Sequence, residues 1–215
     1  MQKILIIVAH PDDAELSMGM KIYDHVLNKD EVSIYCLSKG SKDEETCKIR
    51  VKETIKAGSI LGVTNYKFED IPDTEFVENR VAINKLLYAI VQEFKPDTVY
   101  THYPEDQHMD HKITSAEVLQ VAEREVPNII FFQSPYSKNF KPNMFFLAGD
   151  EKMNKKHDAI ACFASQSQFN ANIFKSFNAL LFLQHLHHRV IKKAKEKING
   201  DVYAELFHIE RSTLV

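Results

Sequence analysis

The chain has 215 residues, of which 44% are hydrophobic, so it is long enough to bury a substantial core as one domain, residues 1–215, without disulfide bridges. Its 27 basic and 30 acidic residues leave a formal net charge of −3, which excludes the strong positive field of a typical nucleic-acid-binding protein. The three cysteines are widely spaced, and this favours reduced thiols in a cytoplasmic protein over a secreted disulfide framework.

The first half of the chain alternates predicted strands with predicted helices. A continuous apolar run at 4–8 is typical of a central strand that is covered on both faces. The segments that follow show helical spacing or short β-branched runs in turn, and one helix ends at Gly62, a residue typical of helix C-termini. The predicted strands lie at 4–8, 32–37, 66–69 and 98–101, and the helices at 15–28, 43–61 and 77–94.

The second half of the chain continues this order and then becomes mostly helical. A helix is predicted at 113–125, strands at 128–133 and 143–147, a long helical region at 154–198 with a break near Ser165, and a last strand at 202–209. Regular alternation of this kind predicts an α/β, Rossmann-like three-layer αβα fold with a mostly parallel sheet. The functional site of such a fold lies at the carboxyl ends of its strands.

A histidine and two aspartates follow the first predicted strand, in the sequence His10-Pro11-Asp12-Asp13. An imidazole and a carboxylate three residues apart on a tight turn can face one cation, so His10 and Asp13 are candidate zinc ligands. Asp12 is the candidate general base, because a carboxylate near a metal but not bound to it can take a proton from water. For this segment alone, an aspartate that caps the next helix is the competing interpretation.

A second cluster, from His102 to His111, follows the fourth predicted strand and contains three histidines and three acidic residues. One of these histidines is expected to complete the metal site, and we predict His111, at the mouth of the next helix. His108 then remains to hydrogen-bond a developing oxyanion, with Asp110 orienting it and raising its pKa so that it stays cationic. The competing interpretation is a solvated polar loop in which Asp110 caps a helix.

Together the two clusters resemble the PIG-L/LmbE-like family of zinc-dependent N-acetylglucosaminyl de-N-acetylases, which carry AHPDD near the N-terminus and a later HxDH. Residues 9–13 and 108–111 match these motifs residue for residue. The resemblance also extends along the rest of the chain, to Arg50-x-x-Glu53, Pro72-Asp73, Lys156, Ser165-Gln166 and the segment 203–207.

The family resemblance implies an enzyme that removes an acetyl group from an N-acetylglucosamine-like amine. It implies one Zn²⁺ per chain, bound by His10, Asp13 and His111, and another divalent ion could accept the same nitrogen and oxygen ligands.

For the remaining site residues, the resemblance implies Asp12 as general base and His108 as transition-state stabiliser with Asp110 behind it. It implies Arg50 and Asp73 as contacts to the sugar portion of the substrate.

One position departs from the family pattern. Many relatives carry two glycines after the acidic motif, whereas this chain has Gly19-Met20. A thioether at a point where backbone often packs closely predicts a narrower or reshaped pocket.

The expected partner is a small N-acetylated amino sugar, with no nucleic acid, and the resemblance also allows a homo-oligomer. No apolar run has the length and continuity of a transmembrane helix, and the N-terminal span of the membrane-anchored eukaryotic members is not expected.

Two other classes of protein compete with the deacetylase interpretation. A nucleotide-binding Rossmann module would need a glycine-rich turn after the first strand, where this chain has acidic residues that repel phosphate. A catalytically silent zinc-binding protein with a regulatory or partner-binding role would keep the same metal ligands. A chelator-sensitive release of acetate separates that protein from an enzyme.

Overall fold

A computed structural model describes residues 1–166, 170–181, 185–198 and 201–213 of the chain. Within these residues one sheet has the strand order β3-β2-β1-β4-β5-β7-β6. The strands are β1 (Lys3–Val8), β2 (Glu31–Cys36), β3 (Asn65–Phe68), β4 (Thr98–His102), β5 (Asn128–Phe132), β6 (Met144–Ala148) and β7 (Tyr203–Arg211). The helices are α1 (Asp13–Leu27), α2 (Glu44–Leu61), α3 (Arg80–Phe94), α4 (Met109–Glu125), α5 (Asp150–Ile160), α6 (Ala171–Leu181) and α7 (His188–Lys197).

The sheet is parallel across its first five positions, from β3 to β5. Strand β7 runs antiparallel to both of its neighbours, β5 and β6, so β6 points in the same direction as the parallel set. The predicted α/β, Rossmann-like fold with a mostly parallel sheet is therefore confirmed.

Alternate residues of β1 face two different apolar clusters. Ile4 and Ile6 pack with buried residues of α1, α2 and α5, whereas Leu5 and Ile7 pack with buried residues of α3 and α4. Helices therefore cover both faces of the sheet, which gives the predicted three layers. It also explains why β1 is a continuous apolar run, since neither of its faces contacts water.

Helix α4 begins at Met109 rather than at the predicted residue 113. His108 occupies the N-cap, and its Nδ1 accepts a hydrogen bond of 3.3 Å from the backbone N–H of Asp110. The second cluster therefore extends into the first turn of a helix. Helix α3 shows the opposite deviation, because it begins at Arg80 and not at 77.

The predicted helical region at 154–198 is divided into several helices. Helix α5 begins earlier, at Asp150, and ends at Ile160, and α6 begins at Ala171, so the break predicted near Ser165 is confirmed. Two parts of the predicted region, 167–169 and 182–184, lie outside the described residues. Across the described ranges, none of the helices combines the length and the apolar character that crossing a bilayer requires.

Helix α1 is interrupted at Met18, where φ is −140° and ψ is 28°. Beyond this break the backbone N–H groups of Met20 and Lys21 donate to the carboxylate of Glu205 on β7, at 2.9 and 2.8 Å. Lys156 of α5 is fully buried and donates to the same carboxylate at 2.8 Å. The buried ion pair of Lys156 and Glu205 thus joins α1, α5 and β7.

Candidate active site

Strands β1 and β4 are neighbours in the sheet and run parallel, so the two clusters that follow them meet at one edge. A cavity of about 140 Å³ opens there. Among the predicted site residues, all except Asp110 line this cavity. The described lining consists of His10, Asp12, Asp13, Leu16, Arg50, Asp73, His108, His111, Pro135, Tyr136 and Gln166.

Three of the lining side chains bring metal-binding atoms together in two pairs, which use different oxygens of Asp13. His10 Nδ1 lies 3.5 Å from Asp13 Oδ2, and Asp13 Oδ1 lies 3.3 Å from His111 Nε2. Ligand atoms on a tetrahedral zinc ion are about 3.4 Å apart when each bond is about 2.1 Å. These side chains are no more than 10% exposed, and imidazole nitrogen and carboxylate oxygen are atoms that bind a divalent cation. Among the described residues, the groups whose ligand atoms all lie within 4.8 Å of one another are His10 with His108 and His111, His10 with Asp73, His108 and Asp110, and Asp13 with His102 and His111.

The second ring nitrogen of His10 faces two further carboxylates. Its Nε2 lies 3.2 Å from Asp110 Oδ2 and 3.1 Å from Asp73 Oδ1. Burial alone would lower the pKa of His10, but hydrogen bonds to Asp110, Asp13 and Asp73 raise it well above its usual value. With an N–H donated at Nε2, the lone pair of Nδ1 points toward Asp13, the arrangement that holds a metal-binding imidazole in place.

The prediction that the Asp110 side chain orients His108 is wrong. The carboxylate of Asp110 bonds His10 and the backbone N–H of Thr74, and it is the backbone N–H of Asp110 that donates to His108 Nδ1. The predicted rise in the pKa of His108 is also wrong, because burial and the positive charges of His10 and His111 lower it. A neutral His108 whose Nδ1 accepts a hydrogen bond carries its N–H at Nε2, and the residue lines the cavity.

Asp12 does not cap helix α1, although it occupies the N-cap position. Its φ of 100° lies in the left-handed region, and its side chain makes no capping hydrogen bond within the described residues. The carboxylate instead accepts a hydrogen bond of 2.9 Å from Arg50 Nη2. Burial and the neighbouring charge of Asp13 raise the pKa of Asp12 to about 8, against the opposing charges of Arg50 and His10.

Arg50 is buried beneath Asp12 and holds its loop in place. Its Nη2 also donates to the Pro11 carbonyl oxygen at 3.0 Å, and its Nη1 donates to the carbonyl oxygen of Gly40. Gly40 has a φ of +78°, and a Cβ there would collide with the guanidinium, so glycine is required at this position. The predicted contact of Arg50 with a sugar stays a prediction, and in the structure its Nη donors bond the protein.

Two residues at the site were not predicted by the spacing of the motifs. His102 is fully buried and stacks on His111 with ring centroids 3.9 Å apart, and its Nε2 accepts a hydrogen bond of 3.1 Å from the Ala9 N–H. It could also join Asp13 and His111 in a ligand group. The sequence placed three histidines in this cluster, but spacing alone did not distinguish their roles.

The second such residue is Asp106, which is only 1% exposed. Its Oδ1 lies 3.3 Å from His111 Nδ1, outside hydrogen-bond geometry but close enough for a strong electrostatic contact. Burial raises the pKa of Asp106, but contacts with His111, Ser134 and the His108 N–H lower it to about 2. For His111, burial lowers the pKa, and Asp13 and Asp106 raise it to about 9.

Met20 does not reshape this cavity as predicted. Its side chain is fully buried in a separate apolar cluster with Ala148, Met153 and Tyr203, and it is not among the described residues that line the cavity. Helix α1 is broken two residues earlier, at Met18, so Met20 does not continue the regular helix that carries Asp13. Gly19 is the position where close packing occurs, because an added Cβ would meet Lys156.

Comparison with known protein families gives a match over residues 5–122, more than half of the chain, to the family described as PIG-L, GlcNAc-PI de-N-acetylase. A curated relative, the uncharacterised deacetylase YaiS of Escherichia coli, is 26% identical over 163 residues. That alignment covers 73% of this chain and 88% of the relative.

Solved structures share the fold along essentially the whole chain. The 4-carboxy-2-hydroxymuconate hydratase GalB of Pseudomonas putida is 21% identical with a TM-score of 0.79, covering 100% of this chain and 98% of its own. The N,N'-diacetylchitobiose deacetylase of Pyrococcus horikoshii is 25% identical with a TM-score of 0.68, covering 97% of this chain and 83% of its own. The fold is therefore shared by proteins named as a hydratase and as a deacetylase.

Proposed function

Because this chain belongs to the GlcNAc-PI de-N-acetylase (PIG-L) family, we propose that it is a zinc-dependent hydrolase that removes the acetyl group from an N-acetylated amino sugar. The proposed substrate is an N-acetylglucosamine-like glycoconjugate or sugar derivative. His10, Asp13 and His111 are the proposed ligands of one zinc ion. The observation that carries this proposal is the approach of Asp13 to His10 at 3.5 Å and to His111 at 3.3 Å, in a cavity that the Asp12 carboxylate also lines.

When bound, the cation would supply an acidified water and a polarised acyl carbonyl. Asp12 accepts the proton of the attacking water, and Arg50 fixes its carboxylate through a hydrogen bond to Oδ2. A bound cation would lower the pKa of Asp12 and favour the carboxylate that accepts this proton. Burial acts in the opposite direction, raising the pKa to about 8 in the metal-free protein, and it stabilises Asp12 once it is protonated. The same side chain can then deliver the proton to the departing amine.

His108 is the proposed donor to the developing oxyanion. As a neutral imidazole whose Nδ1 is engaged by the Asp110 N–H, it offers an N–H at Nε2. Asp110 and Asp73 hold His10 from the opposite side of its ring. This set of side chains supports direct attack by water without a covalent acyl-enzyme.

Hydration of an unsaturated tricarboxylate, the type of reaction named for GalB, is the competing activity. Such a substrate carries at least two negative charges into the site. Among the described residues that line the cavity, Arg50 is the one permanently charged cation, and Asp12 occupies it. Three aspartates line the same cavity, so even with a divalent cation bound the formal charges of Arg50, the aspartates and the cation cancel, and this favours a neutral amide over a multiply charged anion as substrate.

The proposed setting is the cytoplasm. All three cysteines are unpaired, as expected for a reducing compartment, and the proposed partner is a small molecule.

Acetate release tests the proposed function. Full-length protein is treated with a chelator, reconstituted with Zn²⁺, and incubated with N-acetylglucosamine, N,N'-diacetylchitobiose and N-acetylglucosaminyl conjugates. We expect acetate from at least one of these compounds, lost with the chelator and restored by zinc. Zinc binding without acetate release from any of them would favour the silent zinc-binding protein, and hydration of 4-carboxy-2-hydroxymuconate in their place would favour the hydratase.

A further inference from the structure

The loop that follows β5 is held rigidly beside the cavity. Ser134 is 2% exposed, and its Oγ donates to Asp106 Oδ2 at 2.6 Å and accepts from the backbone N–H of Tyr136 at 3.1 Å. The Ser134 N–H donates to Ser137 Oγ at 2.9 Å, and the Tyr136 carbonyl accepts from the Gln107 N–H at 3.0 Å. Both backbone polar groups of Tyr136 are therefore engaged, which fixes the position of its Cα.

The buried carboxylate of Asp106 links this loop to the proposed metal ligand. One oxygen receives the Ser134 hydroxyl, and the other receives the His108 N–H at 2.9 Å and lies 3.3 Å from His111 Nδ1. An isolated antiparallel β-bridge between Asp106 and Ser137 also joins the two segments. These contacts therefore fix the position of the loop relative to His111, the proposed metal ligand.

The ring of Tyr136 remains accessible although its backbone is fixed. The residue is 42% exposed and lines the cavity, and its ring centroid lies 6.1 Å from that of His111 at an angle of 65°. A fixed, accessible aromatic ring loses little conformational freedom when a ligand packs on it. The cavity of about 140 Å³ is smaller than the roughly 300 Å³ of small ligand pockets, so part of a sugar must lie at its rim.

We propose that Tyr136 is the residue on which the pyranose ring of the substrate packs, and that Ser134 and Asp106 are positioning residues for it. This inference rests on the proposed function for the identity of the ligand, an N-acylated sugar. The C–H face of a pyranose is apolar and matches an aromatic face, while the acyl group extends toward His10 and Asp12. Tyr136 would thus contribute to specificity for a ring-containing amide over a small acyclic one.

Substitutions at position 136 separate the ring from its hydroxyl group. In the zinc-loaded enzyme, Tyr136→Ala is expected to raise KM for the acetylated sugar about tenfold, with kcat and zinc affinity unchanged. Tyr136→Phe keeps the ring and should remain within about threefold of the parent. The matched control is Tyr88→Ala, which removes a tyrosine that is 53% exposed on α3, away from the cavity lining, and should change nothing.

Sugar binding gives a readout that does not depend on turnover. In the inactive Asp12→Asn background, calorimetry with N-acetylglucosamine should show a dissociation constant about tenfold higher once Tyr136→Ala is added. An unchanged constant, or no detectable binding before that change, would overturn the inference. If Tyr136→Ala weakens sugar binding but the parent protein releases no acetate, the proposed reaction fails while the sugar contact stands.

A double variant tests whether Ser134 acts through Tyr136. Ser134→Ala should raise KM in the same direction as Tyr136→Ala, because it frees the Tyr136 N–H and the loop. The combination Ser134→Ala/Tyr136→Ala should then be no worse than Tyr136→Ala alone. Fully additive effects, or a Ser134→Ala enzyme with the parent KM, would remove Ser134 from the positioning role.

Discussion

Asp12 carries several unfavourable features in one residue. It has a backbone φ of 100°, it is buried, and it stands beside a second carboxylate. Conformational strain of this kind costs about 1–3 kcal/mol and persists only where the surroundings compensate. Arg50 supplies that compensation through its bonds to Asp12 and the Pro11 carbonyl. The conformation of this loop therefore positions the Asp12 carboxylate at a cost to the stability of the fold.

The substitution Asp12→Asn tests this assignment. Asparagine tolerates the left-handed conformation and can still bond Arg50, so the variant should fold and bind zinc as the parent does. Because the amide cannot accept the proton of water, kcat should fall by about 10²–10⁴-fold. Acetate release and zinc content per chain are the measurements, with the exposed Asp158→Asn as control.

A different result would count against Asp12 as the base. If the variant lost its zinc, the carboxylate would be a ligand, and if kcat changed less than about tenfold, proton transfer would lie elsewhere.

His102 predicts a pH dependence of stability in the metal-free protein. Burial and the charge of His111 lower its pKa from 6.5 to about 4. Between these values the unfolded chain binds a proton at this residue that the folded state does not, so His102 lowers the free energy of unfolding as the pH drops from 6.5 toward 4. The contribution of this group is about 3 kcal/mol.

Urea titrations in the presence of a chelator at several pH values measure this effect. His102→Gln retains an acceptor for the Ala9 N–H but does not titrate, so its stability should fall less steeply across the same pH range. Equal slopes for the two proteins would show that His102 is not held neutral in the folded state.

Among the secondary-structure elements, α1 has two functions that its break at Met18 separates. The first segment presents Asp13 to the site, and the second is hydrogen-bonded to β7. The break exposes the N–H groups of Met20 and Lys21, and the carboxylate of Glu205 accepts both. Lys156 neutralises that carboxylate. The direction of the catalytic segment therefore depends on a buried ion pair contributed by two other elements.

Removal of Lys156 should be strongly destabilising. In Lys156→Met, the charge of Glu205 remains buried without a partner, and the expected loss is about 3–5 kcal/mol. The double variant Lys156→Met/Glu205→Gln should recover part of that loss, because a neutral amide still accepts one backbone N–H. Chemical denaturation measures both effects, and Lys192→Met on the exposed surface of α7 is the control. A single variant as stable as the parent would contradict the role of the pair.

For the molecule as a whole, the site depends on the topology of the sheet. His10 and His111 are far apart in sequence, and the parallel pairing of β1 with β4 brings their segments to the same edge. The charges of the aspartates gathered there are partly neutralised by protonated histidines. The neighbouring aspartates accordingly raise the pKa values of His10 and His111. A divalent cation would replace those protons and join two parts of the chain.

Zinc should therefore raise the thermal stability of the whole chain. Ligand at about a thousand times its dissociation constant contributes about 4 kcal/mol, which in a protein of this size corresponds to a rise in Tm of about 10 °C. Thermal denaturation with a chelator and with zinc measures the shift. Asp13→Asn should abolish it, whereas His157→Gln, outside the site, should leave it intact. A shift that survives in Asp13→Asn would place the cation elsewhere.

The sequence by itself determined the order of the elements and the position of the site. The continuous apolar run of β1, the helical spacing after it and the acidic residues at the strand ends are local patterns, and local patterns follow from periodicity and capping. Since carboxyl ends of adjacent parallel strands meet, the convergence of the two clusters followed as well. The break in α1 at Met18 had no such signal, because the carboxylate that accepts the N–H groups beyond it lies on β7, far along the chain.

Only the tertiary structure decided which partner each polar side chain has. Asp110 was expected to support His108 because the two are close in sequence, but its carboxylate reaches His10 instead. Asp106 and Ser134, from different segments, meet beside His111. Hydrogen bonds within a buried cluster depend on the directions of side chains from several elements, and sequence spacing within one element does not specify those directions.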